Sequence, residues 1–363
     1  MRNFTKIAQF FALFVLSLAG NHPAAAESSI TGEHQMIATK NRLAEMASGS
    51  QTICVGRFLI DVPNEATVVY GPARVPVYLT RIEGQGAELD SVVKRAIAKV
   101  HTDRELARGG LTGEKSMLGK VLPGIGEQHK LVIGIGRGEF SNYNVQSFIR
   151  LNDDLFVQEY EINGEGDAFA EAVALLTDVA RSLRSRANDE IPNEPGICLD
   201  GAFLQEPSRY ILEEVTLGIR LKKFDDVHIT IEMTKKDIFI ESDALEPRLK
   251  HAKQGAIASG MGQWYSRIKF LRSGYRHLGG WEGFEVLTHK PAQKFEGENH
   301  EFAFQSHGEP KNPLLPVLQI ELHTGVKANR TGGTKPSISD EEAIFLWDTV
   351  IGSIRPRPMA VRP

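Results

Sequence analysis

The chain has 363 residues, enough for two domains of ordinary size, and is 41% hydrophobic and 24% charged with no low-complexity tract. That composition excludes a disordered chain, and past the N-terminus no apolar run is long enough to span a bilayer. The net charge of −4 is not the footprint of a nucleic-acid binder, which shows a basic stripe, so no nucleic-acid partner is expected.

The chain opens on "MRNFTKIAQFFALFVLSLAGNHPAAA", with Arg2 and Lys6, an apolar stretch from Phe10 to Leu18, and Ala24-Ala25-Ala26. A charged start, a short apolar run and small residues at −3 and −1 predict a secretory signal peptide over 1–26, cut after Ala26. The other reading is a buried N-terminal helix. No cysteine follows Gly20, so a soluble rather than a lipid-anchored product is expected, with no membrane insertion after cleavage. Losing Arg2 and Lys6 takes the charge from −4 to −6, and the expected compartment is the periplasm.

After an N-terminal segment, 27–50, comes "TICVGRFLIDVP" (52–63), and later "GICLDGAFLQEP" (196–207). Each phrase runs Ile-Cys, Gly, Phe-Leu, an acidic residue and Pro, and the two hold both cysteines of the chain, Cys54 and Cys198. Similar elements follow each phrase. Behind the first, "VPVYLTRI" (75–82) alternates like a strand, and 88–101 carries Leu89, Val92, Val93, Ala96 and Val100 on one helical face. Behind the second, "DVHITIEMT" (226–234) alternates, and 247–258 predicts a more polar helix opened by Pro247. Glycine-broken β-rich segments come next in both. The units end on "EAVALLTDVARSLRSR" (171–186) and "EAIFLWDTVIGSIRPR" (342–357), which align without a gap, Arg186 on Arg357 included. Both are expected to be amphipathic helices, the second opened by a Ser339-to-Glu342 capping box.

The expected organisation is a duplication: a lobe over 51–186, a linker over 187–196, a second lobe over 197–357 and a tail over 358–363. The offset is 144 residues at the cysteines and 171 at the helices, so the second copy holds about 27 more residues. Strands outnumber helices. The expected fold is therefore α+β in two tandem domains, each a mainly antiparallel sheet with helices on one face.

Signs of chemistry are sparse. "GIGRG" (134–138) resembles a phosphate loop, but a strand-like segment follows it where a helix is required, which favours a hairpin turn. There is no Gly-x-Ser-x-Gly elbow, His-Glu-x-x-His or Walker loop, and the histidines match no zinc template, so no cofactor or metal is expected. Trp281, in "GGWEGFEVL", and Trp264 and Tyr265, in "GMGQWYSRIKF", are either interface anchors or core aromatics between strands.

The cysteine phrase behind a signal peptide, the second "CLDGAFL", the "GGWEGFE" hairpin and the late "LQIELHTG" resemble the two-domain immunity proteins of type VI secretion. The resemblance covers about 50–357. It implies a non-catalytic periplasmic protein that binds a cognate phospholipase effector, gripping it between two lobes, but carries over no contact residues; Trp264, Tyr265 and Trp281 are candidate contacts only as aromatics beside glycine-rich turns. Two other classes stand beside it: an enzyme whose site is assembled from residues such as His277, Glu282 and Glu285, and an envelope lipid- or peptide-binding protein whose cleft lies at the domain junction. Two lobes packed about a pseudo-twofold axis in an oxidising compartment would bring equivalent strands together, so a Cys54–Cys198 disulfide is expected, against two separately buried thiols.

Overall fold

The computed structural model describes residues 41–46, 49–137, 140–162, 167–205, 212–327 and 329–361, so the signal-peptide reading lies outside the described residues. The first half contains β1 (Ser50–Val55), β2 (Phe58–Pro63), β3 (Ala66–Tyr70), β4 (Ala73–Arg74), β5 (Tyr78–Ile82), α1 (Leu89–Asp103), β6 (Val121–Pro123), β7 (His129–Ile135), β8 (Tyr143–Leu151), β9 (Asp154–Ile162), α2 (Asp167–Ser182) and β10 (Leu183–Ser185). The second half contains β11 (Gly196–Leu199), β12 (Ala202–Gln205), β13 (Glu213–Leu221), β14 (Phe224–Lys235), α3 (Leu245–Ala258), the single turn α4 (Gly262–Tyr265), β15 (Lys269–Leu278), β16 (Trp281–Lys290), β17 (Asn299–Ser306), β18 (Val317–His323), α5 (Asp340–Gly352) and β19 (Arg355–Pro356). The fold is α+β and its sheets are antiparallel throughout.

One 13-stranded sheet crosses both halves in the order β15-β16-β17-β18-β14-β13-β4-β5-β9-β8-β7-β6, with β3 also paired to β13. Read outward from the β13–β4 seam, the two halves repeat one order: β4, β5, β9, β8, β7, β6 on one side and β13, β14, β18, β17, β16, β15 on the other. Two small sheets exchange partners between the halves. β10, from the first half, adds to the β11–β12 hairpin, and β19, from the second, adds to the β1–β2 hairpin.

That exchange corrects the sequence reading of the two closing helices. α2 stops at Ser182 and α5 at Gly352, each several residues before the expected end, because the last residues leave the helix to complete the other half's hairpin. The linker also ends early, since Gly196 already belongs to β11. The halves do not keep wholly separate cores. A single cluster runs from Ile53, Phe58 and Val179 through Leu204 and Leu217 to Phe302 and Trp347, while two smaller clusters belong to the first half alone. The junction is thus closed by β-ladder and core, where a cleft was expected. The described part of "GIGRG", 134–137, ends β7, which pairs with β8, and Glu161 accepts from the Arg137 N–H at 2.7 Å, so strand and not helix follows it.

Both halves place helices on the sheet, with different success. α1 buries Leu89 and Val93 against Val132, Phe148 and Leu155, and Val100, at i+11 on the same face, in the neighbouring cluster with Leu131 and Ile133. α3, written "LEPRLKHAKQGAIA", buries only Ala256. α5 is the best seated: the Ser339 capping box closes its start, and Ala343, Leu346, Trp347, Val350 and Ile351 go into the shared core.

Candidate functional site

Between the halves lies a structural staple. Cys54 on β1 and Cys198 on β11 are joined in a disulfide with Cα atoms 5.8 Å apart, packed with Leu59 and Phe203. The Gly56 N–H donates to the Cys198 carbonyl at 2.9 Å and the Cys198 N–H donates back to the Gly56 carbonyl at 2.8 Å, which makes an antiparallel bridge between the hairpins. Beside it the Arg57 guanidinium holds Glu213 of the second half in two bonds, 2.8 and 3.0 Å, and Lys235 reaches the same carboxylate at 3.1 Å. All three are buried, and a buried carboxylate with two cations and good geometry is costly to break from one side. Arg186 and Arg357, which the repeat aligns, both fold back onto backbone carbonyls. Arg186 donates to Leu199 and Glu190 and Arg357 to Glu194 and Gly196, so both gather the same linker and second hairpin.

Accessible apolar surface concentrates elsewhere. The large hydrophobic residues that stay most exposed among the described residues are Tyr275 (80%), Ile238 (76%), Phe295, Ile240 and Ile257, all in the second half. The sparse apolar face of α3 explains much of this: with only Ala256 buried, the helix leaves Ile257 in solvent and does not cover Tyr275. Tyr275 stands on β15 against Phe284, ring centroids 5.4 Å apart, and donates its hydroxyl to Glu246 at 2.8 Å, a bond that raises the phenol above its usual range. β15 is itself the terminal strand of the large sheet, ten residues long. The opposite terminal strand, β6, has three residues and ends on Pro123. A long open edge flanked by exposed aliphatic and aromatic side chains is the surface best suited to a protein partner.

The aromatic residues read from the sequence divide. Trp281 is 2% exposed, tilted against Phe58 with ring centroids 5.2 Å apart and its indole N–H on the Pro316 carbonyl. It is therefore a core residue and offers no contact surface, which corrects its place among the candidates. Trp264 and Tyr265 lie on α4, half-buried. The Trp264 indole donates to the Pro291 carbonyl at 3.0 Å, and Tyr265 leans toward the exposed Phe270. Desolvation raises the Tyr265 phenol above its usual range.

His277, Glu282 and Glu285 form no joint site. His277 and Glu282 are exposed surface neighbours 3.4 Å apart, whereas Glu285 points to the other face of β16. There it is buried, bonded to Arg272, Arg276 and the Trp347 indole. Sequence reasoning missed the Arg57–Glu213–Lys235 triad and the exposed Ile238, Ile240 and Tyr275. The polarity of α3 was the one available signal for the latter. It also missed a groove of about 1200 Å³ along α2 in the first half, lined by Met117, Leu122, Tyr143 and Phe169 and edged by Lys115 and Arg181.

Residues 190–359 match the family described as Tle cognate immunity protein 4 C-terminal domain. Over those residues the chain is similar to a family of immunity proteins. The fold is shared with an apo immunity protein, TplEi of the type VI system of Pseudomonas aeruginosa, at 23% identity and a TM-score of 0.65, over 86% of this chain and 98% of that one. TplEi complexed with an "L" peptide gives 22% identity and 0.63, over 86% and 99%. A chain of the Tle4–Tli4 complex gives 25% identity and 0.67, over 86% and 98%. No curated protein matches by sequence. The family and the solved structures that the chain is similar to are immunity proteins, so the non-enzymatic reading rests on that likeness and not on the lack of a motif. Among the described residues no helix is long and apolar enough to cross a membrane.

Proposed function

We infer that the mature protein is a periplasmic inhibitor of a cognate type VI phospholipase effector, held by both halves with the outer face of the second half as a principal contact. The observation that carries this reading is the fold shared, almost end to end, with a chain of a complex between a Tle protein and its Tli4 partner. The sequence adds the signal-like N-terminus, and the exposed apolar residues around β15 and α3 add a surface that a partner would cover. The repeated strand order on either side of the seam supports an origin by duplication.

The test is co-expression of the intact mature chain with the lipase encoded beside it, followed by co-purification and lipase assays. Stoichiometric capture with loss of lipase activity is expected. An intact, folded chain that neither binds nor inhibits that lipase would end the reading. The groove along α2 favours a second reading, a lipid-binding envelope protein. Native mass spectrometry showing stoichiometric co-purified lipid would support it.

A further inference from the structure

Cross-strand register and one helix start bring together three groups that the sequence keeps apart. His289 on β16 is paired directly with His300 on β17, and Asp340 opens α5 above them. One donor atom from each lies within 4.8 Å of the other two. Asp340 Oδ1 is 2.6 Å from His289 Nδ1 and 2.9 Å from His300 Nε2. The rings are tilted by 45° with centroids 4.6 Å apart, so both nitrogens converge on one carboxylate from neighbouring strands.

The surroundings are those of a metal site. A ligating imidazole commonly anchors its second nitrogen on a neighbour, which fixes ring and tautomer. His300 Nδ1 is 2.9 Å from Thr324 Oγ1, which also accepts from the His300 backbone N–H at 2.8 Å. His289 Nε2 faces a Glu298 carboxylate oxygen at 3.9 Å. His300 is fully buried, while His289 and Asp340 are partly open, leaving one side accessible. The nearest opposing charge is Lys269, 3.8 Å from the second Asp340 oxygen, and it is itself exposed and free to swing outward.

The geometry points to a divalent transition-metal site, zinc by ligand chemistry, formed by His289 Nδ1, His300 Nε2 and Asp340 where the β16–β17 ladder meets the start of α5. Two imidazoles and a carboxylate suit zinc and leave a position for water, whereas calcium and magnesium want oxygen ligands throughout. Tetrahedral zinc with bonds of about 2.0–2.1 Å needs donors roughly 3.3 Å apart, so the two hydrogen bonds open by about half an ångström as the ion enters. A metal-bound imidazole carries its proton on the outer nitrogen, here facing Thr324 or Glu298. The ion would tie the start of α5 to β16 and β17, at the end of the sheet next to Trp264 and Phe270.

The test uses the intact mature protein, stripped with a chelator and titrated calorimetrically with Zn2+, with Mg2+ as control. One Zn2+ per chain, a zinc-dependent rise in Tm reversed by chelator, and the visible absorption of tetrahedral cobalt after Co2+ substitution are expected. His289→Ala, at a partly open position, should abolish one-to-one binding. Glu298→Gln, which touches only the outer nitrogen, should weaken it about tenfold or more. Both variants are checked for unchanged circular dichroism in chelator. Absence of stoichiometric Zn2+ binding, equal binding of Mg2+, or a folded His289→Ala that binds Zn2+ like the parent would each overturn the assignment.

Discussion

The two halves carry the same strand order and finish it differently. In the first half, α1 seals one face of the sheet with Leu89, Val93 and Val100, and the edge strand β6 is three residues long and ends on proline. In the second, α3 contributes Ala256, and the edge strand β15 runs ten residues with Tyr275 standing clear of it. Short, proline-bearing edges are how sheets avoid pairing with other chains; a long edge beside exposed apolar residues does the reverse. The difference teaches that topology alone does not assign the binding role. A second-half surface left unfinished by its own helix is what an immunity protein would offer a partner, while the first half spends the same elements on its own stability.

The seam is common to both halves, so breaking it should cost most. Replacing Cys54 and Cys198 together by serine removes a cross-link between residues 144 apart, worth roughly 4–5 kcal/mol in the chain-entropy treatment. Urea unfolding of the two proteins measures it, and the denatured, unreduced parent should show no free thiol. Two separate transitions in the variant would mean that the shared core does not couple the halves. Glu213→Ala should cost about 3–5 kcal/mol by removing the buried carboxylate that the Arg57 and Lys235 cations share, whereas replacing all three by apolar residues of similar size should cost far less. Equal losses in the two variants would contradict the shared-carboxylate argument.

The helices sharpen the contrast next. Leu89→Ala in α1 should lose about 2–5 kcal/mol, since it opens a cavity against Val132 and Phe148. Ile257→Ala in α3 should stay within about 0.5 kcal/mol, because the side chain is mostly in solvent. Similar losses at both positions would erase the asymmetry on which the surface assignment rests.

A pH test falls on the first half alone. His129 is buried, its Nδ1 accepts the Ile125 N–H at 3.1 Å, and its Nε2 contacts Ser147 Oγ at 2.8 Å. Burial lowers its pKa to about 4, and protonation at Nδ1 would set two donors against each other. The unfolded chain takes up this proton near pH 6.5 and the folded one only near 4. The contribution is therefore complete above pH 6.5 and falls away as pH drops toward 4, by about 3 kcal/mol in all. Stability curves of the parent and His129→Gln should diverge over that window. Parallel curves would mean that His129 is charged in the folded state.

Much of the scaffold was legible because it repeats locally. The two cysteine phrases became matching hairpins, and the 3.6-residue period of 88–101 and the Ser339 capping box located α1 and α5. The strand exchange was not legible. "LRS" and "RP" are too short for any period, and their partners lie in the other half. The convergence of His289, His300 and Asp340 was equally hidden, since it depends on register between β16 and β17 and on a helix start forty residues later. Trp281 took the core reading of the two that its sequence leaves open: Gly279 and Gly280 turn the chain so that the indole enters the shared core.

A small expected change in stability carries the sharpest functional contrast. Tyr275 and Ile238 are mostly in solvent, Tyr275 keeping an edge contact to Phe284 and an exposed bond to Glu246, so Ile238→Ser with Tyr275→Ala should shift the unfolding free energy by no more than about 0.5 kcal/mol at Ile238 and about 1 kcal/mol at Tyr275. The same substitutions remove two exposed anchors from the second half's outer face, and an aromatic anchor lost from the centre of an interface typically costs about 2 kcal/mol or more, some thirtyfold in affinity. Val121 and Ile125 give the matching pair at the first half's edge, exposed to a lesser degree beside the proline-ended β6. Changing them to serine should leave both stability and effector capture near the parent's. Calorimetric titration of the two double variants against the neighbouring lipase compares the halves directly. If the first-half pair weakens capture and the second-half pair does not, the unfinished face is surplus surface, and the grip on the effector must be sought along the groove beside α2.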